Sequence, residues 1–219
     1  MKTPSMRIAI LAVAAGFGAI GPANANTIVT NFGTAPLYSW TTSWPVYGSG
    51  VSACCGVEQA MPFTTAGFWT LTQIDVALEH AFGTNSAVLT LNSDNNGVPG
   101  AVLASWNLSG LPAYGSCCTV ETVTPSSPIS LDSGTQYWLV AIASSSNTGD
   151  IWGWNNTGAI GASLSTNSAG GWSSNGASTL GAFDVQGDLA APEPFSWILV
   201  AFGVGALRGL HVVKARRSR

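Results

Sequence analysis

Two acidic residues have the spacing that could support catalysis in this 219-residue chain. Asp75 and Glu79 lie in a segment of alternating apolar residues, so an extended strand would place both carboxyl groups on one face. Paired carboxyl groups are the machinery of glycoside hydrolysis. Acids on the polar face of a strand are usually only solvated, and we find no credible active site. A secreted hydrolase is therefore the weakest alternative.

Other catalytic or metal-binding patterns are incomplete. His80 is the only histidine between Asn26 and Ala191, and no serine lies in the G-x-S-x-G pattern that a hydrolase triad would use. The oxygens of 94–96, Asp-Asn-Asn, could bind Ca²⁺, but the segment lacks the spaced acids and closing Glu of an EF-hand. It is expected to be a turn, and no cofactor is expected.

The four cysteines form two adjacent doublets, which are disulfide candidates. They are Cys54, Cys55, Cys117 and Cys118. Three pairings are open. Bridges between the two doublets are favoured, because a disulfide between adjacent residues strains the backbone. A zinc site is not favoured, because the C-x₂-C spacing is absent.

Three tryptophans could contact a sugar. Trp152 and Trp154 share one face of a strand, and exposed Trp pairs can stack on sugar rings. However, a chain with nine Trp and little charge must bury most of them, so core packing is favoured for this pair. Trp172, in a Gly-Gly-Trp-Ser-Ser segment, is the better candidate for an exposed aromatic residue.

The middle of the chain predicts an all-β fold. Turn residues recur about every ten positions, with β-rich segments between them, and helix signals are nearly absent. The clear strands are 68–78, 86–94, 102–108, 137–143, 151–155 and 182–186. Eight to ten short strands favour a two-sheet antiparallel β-sandwich, jelly-roll-like in arrangement. This domain is expected to span 26–191.

All seven Lys and Arg residues lie near the two ends of the chain. At the front, a charged start precedes an apolar segment at 8–20, and small residues at Ala23 and Ala25 fit cleavage before Asn26. This is the pattern of a secretory signal peptide over 1–25. The signal helix would bring the chain to signal peptidase and the secretion machinery, and the domain would leave the cytoplasm.

The other end combines three features over 192–219. Pro192-Glu193-Pro194 is a stiff segment, 195–213 is mostly apolar and long enough for a transmembrane helix, and basic residues follow. The basic residues that complete the motif are Arg216, Arg217 and Arg219. Together these features resemble the PEP-CTERM sorting signal of Gram-negative bacteria that export polysaccharide. The resemblance implies membrane attachment through the helix and cutting near Pro-Glu-Pro by an exosortase-type membrane protease. Arg208 comes earlier than the pattern expects.

The domain itself resembles the choice-of-anchor β domains, most closely the R type. The resemblance covers roughly 61–187 and depends on 68–74, 91–100, 137–140 and 152–155. It implies export, with display on the outer surface or release into the extracellular matrix. It supplies no catalytic residues.

The charge of the domain excludes one class of function. Between Asn26 and Ala191 there are nine acids and no Lys or Arg, so nucleic acid binding is excluded on charge grounds. We expect a non-enzymatic structural or adhesive protein of the cell surface or matrix. The alternative is a module that binds matrix exopolysaccharide through Trp152, Trp154 or Trp172.

Overall fold

The computed structural model describes residues 26–51, 56–166 and 171–190. The predicted signal helix, the sorting tail and Cys54 with Cys55 lie outside these residues. The described part is all-β, which confirms the predicted class. Its strands, numbered in chain order, are β1 (Asn26–Thr30), β2 (Tyr38–Tyr47), β3 (Gln59–Thr64), β4 (Trp69–Val76), β5 (Leu78–Phe82), β6 (Ser86–Asp94), β7 (Pro99–Ser109), β8 (Glu121–Val123), β9 (Ile129–Leu131), β10 (Gln136–Ala143), β11 (Gly149–Asn155), β12 (Ile160–Thr166), β13 (Trp172–Thr179) and β14 (Phe183–Leu189).

The strands form three antiparallel sheets. One has the order β1-β14-β4-β8, with β9 also paired to β4; the second has the order β13-β12-β3-β10-β6-β7; the third is β2-β11-β5. The core draws side chains from all three, including Leu71 on β4, Leu139 on β10 and Trp152 on β11. This arrangement is consistent with a β-sandwich.

The separate third sheet arises from a break at Ala77. The sequence predicts one strand over 68–78, but β4 ends at Val76 and β5 begins at Leu78. Ala77 donates its N–H to the Ala182 carbonyl at 3.1 Å and accepts from the Gly153 N–H at 2.8 Å. The first and third sheets therefore meet at this residue.

The six-stranded sheet is apolar on both faces in its middle. On β10, Tyr137, Leu139 and Ala141 pack into the main core. The alternate residues Trp138 and Val140 join a second, smaller cluster on the opposite face, and Trp172 packs against its edge. β10 covers the predicted strand 137–143, and it is a central strand with apolar surroundings on both faces.

The hairpin between β6 and β7 follows the predicted turn. Asn96 and Gly97 both have positive φ, at 55° and 85°. The Asp94 carboxylate accepts the Gly97 N–H at 3.1–3.2 Å and the Trp138 indole N–H at 2.7 Å. These bonds, with that from Trp138 the strongest influence, lower the pKa of Asp94. The carboxylate holds the turn and a core tryptophan together.

Candidate functional site

Asp75 and Glu79 do not form a catalytic pair. Glu79 lies on β5, beyond the break at Ala77, and is fully buried. It accepts the Tyr38 hydroxyl at 2.8 Å and the Gly115 N–H at 3.0 Å. Burial, followed by the hydrogen bond to Glu79 and the charge of that carboxylate, raises the pKa of Tyr38. The prediction that the two acids share a strand face is wrong, as is the expectation that they are merely solvated.

Asp75 instead faces a second acid across the sheet. Asp184 on β14 is its direct partner in the β4–β14 ladder, and both residues are 8% exposed. The Gln186 amide lies between them, at 2.6 Å from Asp184 and 3.3 Å from Asp75. Thr122 also donates to Asp75, at 2.6 Å. Burial, assisted by the Asp75 charge, raises the pKa of Asp184. The pair is embedded in a sheet face among side-chain donors.

His80 pairs with a buried acid that the sequence did not indicate. Its Nδ1 lies 2.8 Å from Asp150 Oδ1, and Asp150 is fully buried. Burial raises the pKa of Asp150 to about 6, although the contact with His80 opposes this shift. The two residues are partners on neighbouring strands β5 and β11, so β-sheet register brings them together. No group of three or more metal-ligating side chains occurs in the part of the chain that is described.

The predicted sugar-binding tryptophans have different environments. Trp152 is fully buried, and its indole donates to the Ala182 carbonyl at 2.9 Å, so sugar contact at this residue is ruled out. Trp154 is half-buried and packs against Trp44, with ring centroids 5.5 Å apart. Core packing, the favoured interpretation of this pair, describes both. Trp172 is also half-buried, and it begins β13 rather than lying in a loop.

Cys117 and Cys118 are bonded to each other. This is the adjacent pairing that the sequence analysis did not favour, and it leaves no sulfur at this doublet for a bridge to the first one. The doublet lies in the segment between β7 and β8, where the Cys118 sulfur is 3.9 Å from the Tyr38 carbonyl. Glu79, through Gly115, anchors the same segment.

A cavity of about 690 Å³ opens on the six-stranded sheet, and Trp172 forms part of its wall. Its lining also includes Tyr47, Glu58, Ile142, Ser144 and Thr166. None of these five was indicated by sequence. They come from three separate regions of the chain, near 47–58, 142–144 and 166, which the order of the strands brings together.

Strand register explains the floor of this cavity. Trp172 is paired with Thr166 across β13 and β12. The Glu58 N–H donates to the Thr166 hydroxyl, and the Thr166 N–H donates to the Glu58 carbonyl, each at 3.1 Å. Ala60, two residues after Glu58, lies with Val140 in the second, smaller apolar cluster. Glu58 therefore lies on the same face of the sheet as that cluster. Trp172 on β13, Thr166 on β12 and Glu58, the residue before β3, thus form a row across the sheet.

Two close-packed loops form the opposite wall. The Gly48 N–H donates to the Thr148 carbonyl at 2.9 Å, and the Gly50 N–H donates to the Ser146 carbonyl at 2.7 Å. A Cβ on Gly48 would lie 2.0 Å from the Ser145 carbonyl oxygen, so only glycine permits this approach. Tyr47, which begins this wall, packs on Phe82 with centroids 5.6 Å apart.

The cavity combines aromatic surface, hydroxyl groups and one acid. Glu58 is half-buried, and burial raises the pKa of its carboxyl group. Ser144 is exposed, and its hydroxyl donates to the Ser86 carbonyl at 2.8 Å. Aromatic faces and hydrogen-bonding groups in one concave site are typical of ligand recognition. This set forms an open site on the described part of the chain.

Comparison with known proteins gives no family assignment. The chain matches no protein-family model and no curated protein. Within the described residues, no helix has the length and apolar character needed to span a membrane. The predicted transmembrane segment at 195–213 lies outside those residues.

Proposed function

We propose that this chain is an exported structural or adhesive protein of the cell surface or extracellular matrix of a Gram-negative bacterium. Signal peptidase would release the domain at Asn26, and an exosortase-type protease would process the tail near Pro192-Glu193-Pro194. The observation that carries the proposal is the charge partition: every Lys and Arg lies outside 26–191. The separation of Asp75 from Glu79 removes the observation on which the hydrolase alternative depended.

The proposal includes a two-layer arrangement of the domain. The first and third sheets, joined at Ala77, would form one layer, and the six-stranded sheet would form the other, in a jelly-roll-like sandwich. The shared core supports this arrangement, because buried side chains from all three sheets belong to one cluster.

The sorting step can be tested by changing the motif alone. Replacing Pro192, Glu193 and Pro194 by alanine should leave export intact and block release, so the protein should accumulate in the membrane fraction. As a matched control, three alanines at the polar segment 173–175 should leave release unchanged. Equal release of the motif variant and the wild type would refute the sorting role.

A second candidate function is binding of matrix polysaccharide, supported by the cavity at Trp172. Affinity electrophoresis of the secreted form in the producing organism's exopolysaccharide would test it. Trp172→Ala should remove retardation without unfolding the domain. Trp40→Ala is the matched control, since Trp40 is 47% exposed and lies seven residues before Tyr47 on β2. Retardation that survives Trp172→Ala would exclude this site.

A further inference from the structure

We propose that the cavity binds a sugar unit carrying a free ammonium group, with Glu58 as its counter-ion and Trp172 as its stacking surface. This inference rests on the second candidate function and names its ligand class. Three properties support it: the geometry of the two side chains, the state of the Glu58 carboxyl group and the charge of the domain around them.

The first property is the spacing of the acid and the indole. Glu58 and Trp172 are separated by one intervening residue, Thr166, in a row across neighbouring strands. Strands lie about 4.8 Å apart, so the two backbones are about 10 Å apart. A sugar ring can therefore lie against the indole while a substituent of that ring reaches the carboxylate. Ile142 and Tyr47 extend the apolar lining beside it.

The second property is the carboxyl group itself. Among the described residues, no side chain or backbone group donates a hydrogen bond to the Glu58 carboxyl group, whereas Glu79, Asp94 and Asp150 each have close partners. Burial raises the pKa of Glu58, because the charged form loses hydration. A bound ammonium group would supply hydrogen-bond donors and the opposite charge.

The third property is the surrounding charge. The domain from 26 to 191 has nine acids and no Lys or Arg, so its field attracts cations and repels anions. Polymers rich in uronate or sulfate would be repelled, and a neutral sugar would leave the Glu58 charge unpaired. An ammonium group near an indole face is also attracted by the ring quadrupole. An amino sugar satisfies each of these conditions.

The experiment compares three probes that differ in one substituent. They are hexamers of glucosamine, of N-acetylglucosamine and of glucose, titrated calorimetrically into the secreted form. The pH should be low enough to protonate the amines and high enough to ionise Glu58. We expect the glucosamine hexamer to bind at least about tenfold more tightly than either neutral hexamer.

Variants then assign the preference to the two side chains. Glu58→Gln should abolish the preference for the amine while leaving weak binding of all three probes. Asp132→Asn is the control, because Asp132 is an exposed acid before the opposite end of β10, and this variant should keep the preference. Trp172→Ala should weaken the binding of every probe, and Trp172→Phe should retain part of that binding. Circular dichroism verifies folding of each variant.

The possible outcomes separate the inference from the function on which it rests. Equal binding of the amine and N-acetyl probes would overturn the ammonium assignment and leave polysaccharide binding in place. Binding of none of the probes would overturn the ammonium assignment, while retardation in native exopolysaccharide would still report on the broader function. If Asp132→Asn and Glu58→Gln lose the preference for the amine probe to the same extent, the attraction comes from the overall charge of the domain. This result would also overturn the assignment.

Discussion

The buried carboxyl group of Asp150, which contacts His80, should make stability depend on pH. Burial raises the pKa of Asp150 to about 6 from its ordinary 3.8, so the folded protein retains a proton that the unfolded chain has released. Stability contributed by this proton is complete below about pH 4 and is lost as pH rises through about 6. This pKa shift corresponds to a stabilisation of at most about 3 kcal/mol.

Asp150→Asn should therefore flatten the fall in unfolding free energy between these pH values, because the amide has no proton to lose. Urea unfolding at several pH values would measure it, with Asp132→Asn as an exposed-acid control. An unchanged slope in Asp150→Asn would mean that this carboxyl group does not control the pH dependence.

The facing acids Asp75 and Asp184 predict a stabilising substitution. Like charges directly opposite in a ladder destabilise a sheet, and burial raises the pKa of Asp184. Asp184→Asn should raise the unfolding free energy at neutral pH by about 0.5–1 kcal/mol. The gain should shrink below the pKa of Asp184, where the wild-type group is already protonated.

The control for this substitution lies on the same strand. Asp188→Asn changes an acid of β14 that is paired with Thr70 rather than with another acid, so it should have little effect. Thermal unfolding of both variants at neutral and acidic pH would test the comparison. If Asp184→Asn destabilises the protein, the hydrogen bond from Gln186 to Asp184 contributes more stability than the repulsion between Asp184 and Asp75 removes.

At the scale of elements, β11 and the segment before β14 pack closely against each other around Trp152. The indole is fully buried, and a Cβ on Gly181 would lie only 2.7 Å from its ring. Trp152→Ala should cost about 3–5 kcal/mol of unfolding free energy. Trp40→Ala, at a residue 47% exposed, should stay within about 0.5 kcal/mol. Similar losses in urea unfolding for the two variants would contradict this assignment.

The elements that could be predicted are those with local signals. The turn at 94–96 was predicted from its Asp and Asn residues, and its geometry depends on positive φ at Asn96 and Gly97. β10 was predicted because 137–143 is a continuous apolar segment. The break at Ala77 could not be predicted, since alternation continues through it and only hydrogen bonds from Gly153 and to Ala182 define it. β12 and β13 were missed because Ser, Gly and Thr dominate them.

The candidate site depends on the whole molecule, so only one of its residues, Trp172, could be identified from the sequence. Trp172 was singled out by its glycine-rich neighbours, but Glu58 precedes it by more than a hundred positions and no motif connects them. The two meet because β12 is hydrogen-bonded to both β3 and β13. Long-range pairing of this kind leaves no local pattern in a single sequence.

The charge of the whole domain predicts a response to salt. Nine acids with no Lys or Arg between Asn26 and Ala191 repel one another in the folded state, and salt screens that repulsion. The melting temperature of the secreted form should rise by a few degrees when KCl is raised from low concentration to about 0.2 M, with a smaller rise near pH 4. A falling melting temperature would indicate that attractive charge pairs dominate.

The measurement that tests the central claim most directly is the intact mass of the extracellular protein. Export with processing at both ends predicts a polypeptide that begins at Asn26 and lacks the basic residues Arg208 to Arg219. Trypsin should then leave it uncut, because no Lys or Arg remains. A purified native protein that retains both Met1 and Arg219 would contradict the account.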